Sequence, residues 1–177
     1  MSGSDVKAVF ITADTQALDA DGISAAAAVG EDANLTIGGA LASGGSCTFD
    51  SGRVVTILSA GDDSGISFTV TGTDVSGDSQ TESITGANAG TATGSKYFKT
   101  VTAIAAVGDP AGNVSAGINT AAGDVIFAGR ARLDGLSIVC SGTAGTLSFT
   151  TTSPAGTSQL KVGSVASATA TRDVTIP

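Results

Sequence analysis

The chain has 177 residues, a formal net charge of −8, no His, no Trp and 14% charged residues. Without histidine, Ser/His/Asp and Cys/His nucleophile arrangements and histidine-based metal centres are excluded. The acidic balance works against nucleic acid as a partner, because phosphate binding needs clustered Lys and Arg. Aromatics are 4%, so a core must be filled mainly by Val, Ile, Leu and six Phe. Each of these contributes only about 1.5–3 kcal/mol when buried, and so thin a core points to oligomerisation.

Residues 1–33 read as an extended acidic arm. Asp5, Asp14, Asp19, Asp21, Glu31 and Asp32 stand there against Lys7 alone. A short strand is predicted at Ala8–Thr12 and a turn at Leu18–Gly22. The Ala-rich run Ser24–Val29 fits either one helical turn or an edge strand. From Asn34 the strand signals repeat. Leu35 and Ile37 alternate with Thr36 until Gly38-Gly39, and Arg53–Leu58 (RVVTIL) is a buried-strand pattern ended by Ser59–Gly65. Ile66, Phe68 and Val70 then alternate with polar residues, the period of a half-buried strand.

Asp74–Asp78 (DVSGD) carries hairpin-turn chemistry, and the partner strand Ser79–Thr85 is polar on both faces, as at a sheet edge. The loop Gly86–Gly94 leads to Tyr97–Val107, the longest strand pattern, which Asp109-Pro110 ends. Val114–Ile118 returns, and residues 119–124 (NTAAGD) mark the expected domain boundary. Beyond it Leu136, Ile138 and Cys140 share one face, and Leu147 and Phe149 another. Leu160 and Val162 follow a turn at Pro154–Gly156, and Val174 and Ile176 close the chain. Short strands at roughly 8–12-residue spacing with Gly turns predict an all-β antiparallel sandwich, immunoglobulin-like or jelly-roll-like. The organisation reads as an arm at 1–33, a sandwich at 34–122, and at 123–177 either a second smaller β domain or a continuation of the first.

Little in the sequence carries chemistry. The loop GxxxxGK[ST] is absent, and the Gly-rich segments lack the Lys and helix that anion binding needs. Paired acids at Asp19/Asp21, Asp62/Asp63 and Asp74/Asp78 lie in turns with no aromatic platform for a sugar, so no catalytic residues are assigned and the chain is not read as an enzyme. Calcium has two candidate loops, Asp74-x-Ser76-x-Asp78 and Asp62-Asp63-Ser64, since a hard cation takes clustered oxygens. The competing reading of both is a hairpin turn with Asx caps. Cys47 and Cys140 either pair in an oxidising setting or stay as buried thiols. The sequons at Asn34 and Asn113 read as accidental.

No signal-peptide pattern follows Met1, and no apolar run approaches the length of a membrane span. Without a signal, export would need another route. Arg130, Arg132, Lys161 and Arg172 outnumber the acids of residues 123–177, so an acidic start and a slightly basic end allow head-to-tail contact between copies. The chain stops at Pro177 directly after a strand signal. That reads either as a strand completed by a neighbouring subunit or as a natural chain that continues.

The stretch Arg53–Gly108 carries three marks: VTILSAGDDSGISFTVTGTD, then QTESITGANAGTATGSKYFKTVTAI, then the return at Gly112–Val114. It resembles segments of virion structural proteins of tailed bacteriophages, which have immunoglobulin-like or similar β-sandwich folds. The resemblance covers about a third of the chain and brings no functional residues with it. It implies a virion component without saying which part; the leading expectation is a capsid decoration (cement) protein bound as trimers or dimers to the major capsid protein or other virion proteins. A neck or tail protein, and an adhesin or carbohydrate-binding module, are the alternatives. The residues expected to meet partners are Val9, Phe10 and Ile11 of the arm, together with the loop Gly86–Gly94.

Overall fold

The computed structural model describes residues 16–127, 133, 135–139, 146–151, 154–163 and 171–175. They divide into two compact units, the first ending at Asp124 and the second starting at Val125. Every regular element among them is a strand, and the fold is an all-β antiparallel sandwich.

The first unit contains β1 (Asp19–Ala28), β2 (Ala42–Ser43), β3 (Ser46–Ser59), β4 (Ser67–Thr73), β5 (Ser79–Thr85), β6 (Thr91–Val107) and β7 (Asn113–Gly123). Their order in the sheet is β1-β7-β3-β6-β4-β5, with β2 paired to the start of β3. Strand β4 buries Phe68 and Val70 on one face, as its alternation predicts, and β5 sets Ile84 beside Phe68. The expected loop Gly86–Gly94 is shorter in the structure, because β6 begins at Thr91. Likewise β7 runs through residues 119–123 of the expected turn at 119–124, and the first unit ends at Asp124.

The segment expected to be an arm is a strand from Asp19 onward. β1 pairs antiparallel with β7 (Ser24 opposite Ala116, Ala27 opposite Val114), and Ile23 is fully buried. The alanine run therefore resolves as an edge strand. One large apolar residue and the ladder to β7 decide this where local propensity does not. Residues 1–15, with the expected strand at Ala8–Thr12, lie outside the described residues.

Strand β6 makes the sheet a sandwich. Its first part pairs with β3, from Thr91 opposite Leu58 to Val101 opposite Cys47, and its second part with β4, from Thr100 opposite Thr73 to Val107 opposite Ser67. A straight strand of this length would span about 56 Å. Yet its two ends sit beside Leu58 and Ser67, which are joined through only seven connecting residues after Ser59, a reach under about 30 Å. So β6 must bend, and its two ends return to one pole. β3 bends with it. Between Thr48 and Arg53 its register against β6 slips, leaving residues 49–52 as a bulge, the usual device by which a strand turns a sheet corner. At this corner Gly72 crosses Thr100 so closely that a Cβ would lie 1.9 Å from the Thr100 carbonyl oxygen.

The residues after β1 complete the closure. Leu35 donates its amide to Ile104 O (2.9 Å) and Ala106 donates to Ala33 O (2.9 Å), on the β6 half that has left β3. Gly38 and Leu41 donate to Ile23 O and Gly22 O. A single core results, drawn from every long strand: Ile23, Phe49, Val55, Ile57, Phe68, Val70, Ile84, Phe98, Val101, Ile104, Val114 and Ile118.

β5 is a terminal strand of the sheet with polar residues on both faces, as its sequence predicts, and on its inner face Glu82 is 9% exposed. Its carboxylate accepts hydrogen bonds from the Ser95 amide (2.6 Å), Ser95 Oγ (2.8 Å) and the Lys96 amide (3.2 Å), while Gln80 donates to Tyr97 O (2.9 Å). Edge strand β5 thus satisfies amides of the early part of β6, where β4 does not run alongside.

In the second unit β8 (Gly135–Val139) pairs with β11 (Thr171–Thr175), and β9 (Thr146–Thr150) with β10 (Ser158–Gly163). The predicted turn at Pro154–Gly156 joins β9 to β10, closed by the Thr151 amide on Thr157 O (3.0 Å). Leu160 lies opposite Phe149 and Val162 opposite Leu147.

Replacing Glu82 with Ala should lower stability by about 1.5–3 kcal/mol, since it orphans a set of charge-assisted bonds. Glu82→Gln, which keeps an acceptor, should cost less. Urea unfolding of both variants checks this, and equal losses would argue against the carboxylate as the tie between β5 and β6.

Candidate functional site

The structure separates the residues singled out from sequence. Val9, Phe10 and Ile11 lie outside the described residues. Asp74, Ser76 and Asp78 form the β4–β5 turn. There Asp74 Oδ1 accepts the amides of Ser76 (2.8 Å) and Asp78 (3.0 Å), Asp74 donates to Asp78 O (2.9 Å), and Gly77 donates to Asp74 O (3.1 Å). This is an Asx-capped hairpin turn, in which Asp74 Oδ1 is engaged twice by backbone amides.

The shortened loop at 86–90 belongs to a larger assembly at the opposite pole. Four connections meet there: residues 30–33, 60–66, 86–90 and 108–112. Asp63 donates its amide to Ala87 O (3.0 Å), Ala89 to Gly61 O (2.7 Å), and Ala60 to Asn113 O (2.9 Å). Asp32 donates its amide to Gly108 O (3.0 Å) and accepts the Gly108 amide on Oδ1 (2.8 Å). Gly61 lies so close to Ala111 that a Cβ would meet the Ala111 carbonyl oxygen at 1.7 Å. These loops are short, mutually bonded and fixed in place.

Charge is one-sided at this pole. Its loops hold Glu31, Asp32, Asp62, Asp63 and Asp109, and no Lys or Arg. Adjacent Asp62 and Asp63 have opposite environments. Asp62 is exposed, and the Ser64 hydroxyl (2.7 Å) and amide (3.2 Å) hold its carboxyl below the ordinary range. Asp63 is fully buried, with Oδ1 accepting the Ala111 amide at 2.6 Å. A shallow depression of about 160 Å³ is lined by Ala26, Leu58, Ser59, Ala60, Asn113 and Ser115, from β1, the end of β3 and the start of β7. No three Asp, Glu or Cys groups converge as a metal centre among the described residues.

The corner at the other end is built around Arg53, 1% exposed. It forks onto Asp50 through Nε to Oδ1 (3.2 Å) and Nη2 to Oδ2 (3.1 Å), across the β3 bulge. Burial raises the Asp50 carboxyl, but the amides of Gln16 and Ser51 and the Arg53 charge together outweigh it, and the net position is lowered. Lys99 Nζ also donates to Asp50 O (2.8 Å). Sequence reasoning missed this pair, because Arg53 opens an apolar run and gives no sign of an ionic partner. Cys47 is a buried free thiol whose pKa burial raises. Cys140 lies outside the described residues.

Because the Asp50 pKa is lowered in the folded state, its stabilising contribution is present above its unfolded value near about 3.9 and is lost as pH falls through the folded value. Asp50→Asn should therefore flatten the acid limb of a stability–pH profile measured between pH 2 and pH 5. An unchanged limb would show that the fork contributes nothing. Asp74→Ala should cost about 1 kcal/mol through the lost turn bonds, read from thermal unfolding, with the loss the same in calcium and in chelator. Comparisons with protein-family models, with curated proteins and with solved structures find no match for this chain.

Proposed function

We propose that the protein is a non-catalytic structural component of a tailed-phage virion, most simply a decoration protein bound in many copies to the outside of the head. The observation that carries this reading is the outer edge of the first unit. β1 is the terminal strand of the sheet, and Ala25, Ala26, Ala27 and Ala28 on it are all exposed. An exposed edge with small side chains is a template for a strand from another chain, and the apolar depression at Ala26 and Leu58 adjoins it. The resemblance over Arg53–Gly108 supports the same reading, since that stretch supplies the second half of β3 and all of β4 to β6. A chain without His and with a Thr/Ser-covered surface suits durable, distributed binding, in which modest contacts are multiplied by valency. The partners under this reading are the major capsid protein and further copies of the same chain, assembled in the host cytoplasm.

The test is copy number per particle by quantitative mass spectrometry. Decoration requires on the order of hundreds of copies, whereas a closed neck or tail ring requires about a dozen. A count in the low tens would remove the decoration role and leave the neck or tail one. Specific binding of the isolated protein on a glycan array would replace both with an adhesin.

A further inference from the structure

Two buried side-chain oxygens have no hydrogen-bond partner among the described residues, Ser59 Oγ and Asp63 Oδ2. Both lie between the same loops. The Ser59 amide is bonded to Gly90 O (2.9 Å), the Asp63 amide to Ala87 O (3.0 Å) and Asp63 Oδ1 to the Ala111 amide (2.6 Å). Asp63 is 0% exposed. An ionised carboxylate so placed, with one N–H on one oxygen and nothing on the other, is far from compensated for its lost hydration. The pole offers no relief, since Glu31, Asp32, Asp62 and Asp109 add negative charge and no Lys or Arg lies in its loops.

We propose that Asp63 is the anchoring ligand of a calcium site at the seam of the β3–β4, β5–β6 and β6–β7 loops. Asp63 Oδ2 would be its carboxylate donor, and Ser59 Oγ is a second orphaned oxygen held by the same loops. Calcium takes about six to eight oxygens in adaptable geometry and accepts backbone carbonyls and water among them, so converging carboxylates are not required. The exposed acids raise the local cation concentration without ligating. A bound cation would fasten the three loops together and remove the unpaired charge. The inference is independent of the role in a virion and is tested on the isolated chain.

The experiment is thermal unfolding of chelator-treated protein at neutral pH, titrated with calcium chloride, with isothermal calorimetry alongside. Calcium should raise the melting temperature by several degrees, since a ligand that binds only the folded state stabilises it, and the heats should give one ion per chain. Asp63→Asn should abolish both effects, while Asp74→Asn should keep both. Ser59→Ala, which removes no charge, should weaken binding and serves if Asp63→Asn does not fold. The proposal is overturned if wild-type protein shows neither shift nor heat. It is equally overturned if the Asp63→Asn or Ser59→Ala variant responds to calcium as wild type does.

Discussion

The fork between Arg53 and Asp50 sits where the sandwich is made. Here β3 leaves one layer and enters the other, through a bulge that places Asp50 three residues before Arg53 in the chain and within reach of both guanidinium nitrogens. A bulge alone is a loose hinge, because its extra residues have no partners on the strand they bulge against, here β6. The bidentate pair ties the two sides of the hinge and aligns β3 to follow the bend of β6. The arginine is nearly inaccessible and its partner is part-exposed. Removing Asp50 would therefore strand a buried charge at the fold's main corner. The remaining architecture follows from that bend: one core enclosed by a single sheet, both ends of β6 at one pole, and four loops gathered there.

Satisfying the backbone at such a corner needs side chains as well as ladders. Where β6 has left β3 its free edge is met by residues 33–35, and over its early part, beyond β4, by the carboxylate of Glu82. The inward acid on edge strand β5 thus serves as a substitute strand. It also places a charge where another chain would otherwise add on, a common way to blunt a sheet edge. The two terminal strands of the sheet consequently differ, β5 guarded by Glu82 and β1 covered by residues 38–41 at Gly22 and Ile23 but exposed along Ala25–Ala28.

Much of this was legible in the sequence, and the failures have physical reasons. The β4–β5 hairpin was readable because the period-two alternation of Phe68 and Val70 and the turn residues Asp74–Asp78 agree with each other. β1 was not, because an alanine run has no period and its strand state is imposed by β7. The bend in β6 was not, because Tyr97–Val107 carries no Gly or Pro to announce it; the signals lie on its neighbours, at Gly72 and the bulge at 49–52. Asp62 and Asp63 are the sharpest case. Identical and adjacent, they point to opposite sides of the chain, so one is solvated and the other is packed beneath Gly86 and Ala111.

The exposed edge at Ala25–Ala28 has a further consequence. Recognition by side chains fixes a register, because large groups must fall into matching pockets. Alanine presents almost the same surface at every position, so a strand added to this edge can slide by two residues with little change in contact. Under the proposed role, such an edge would accept neighbours that are chemically alike but not identically placed, as for a subunit repeated over a curved lattice.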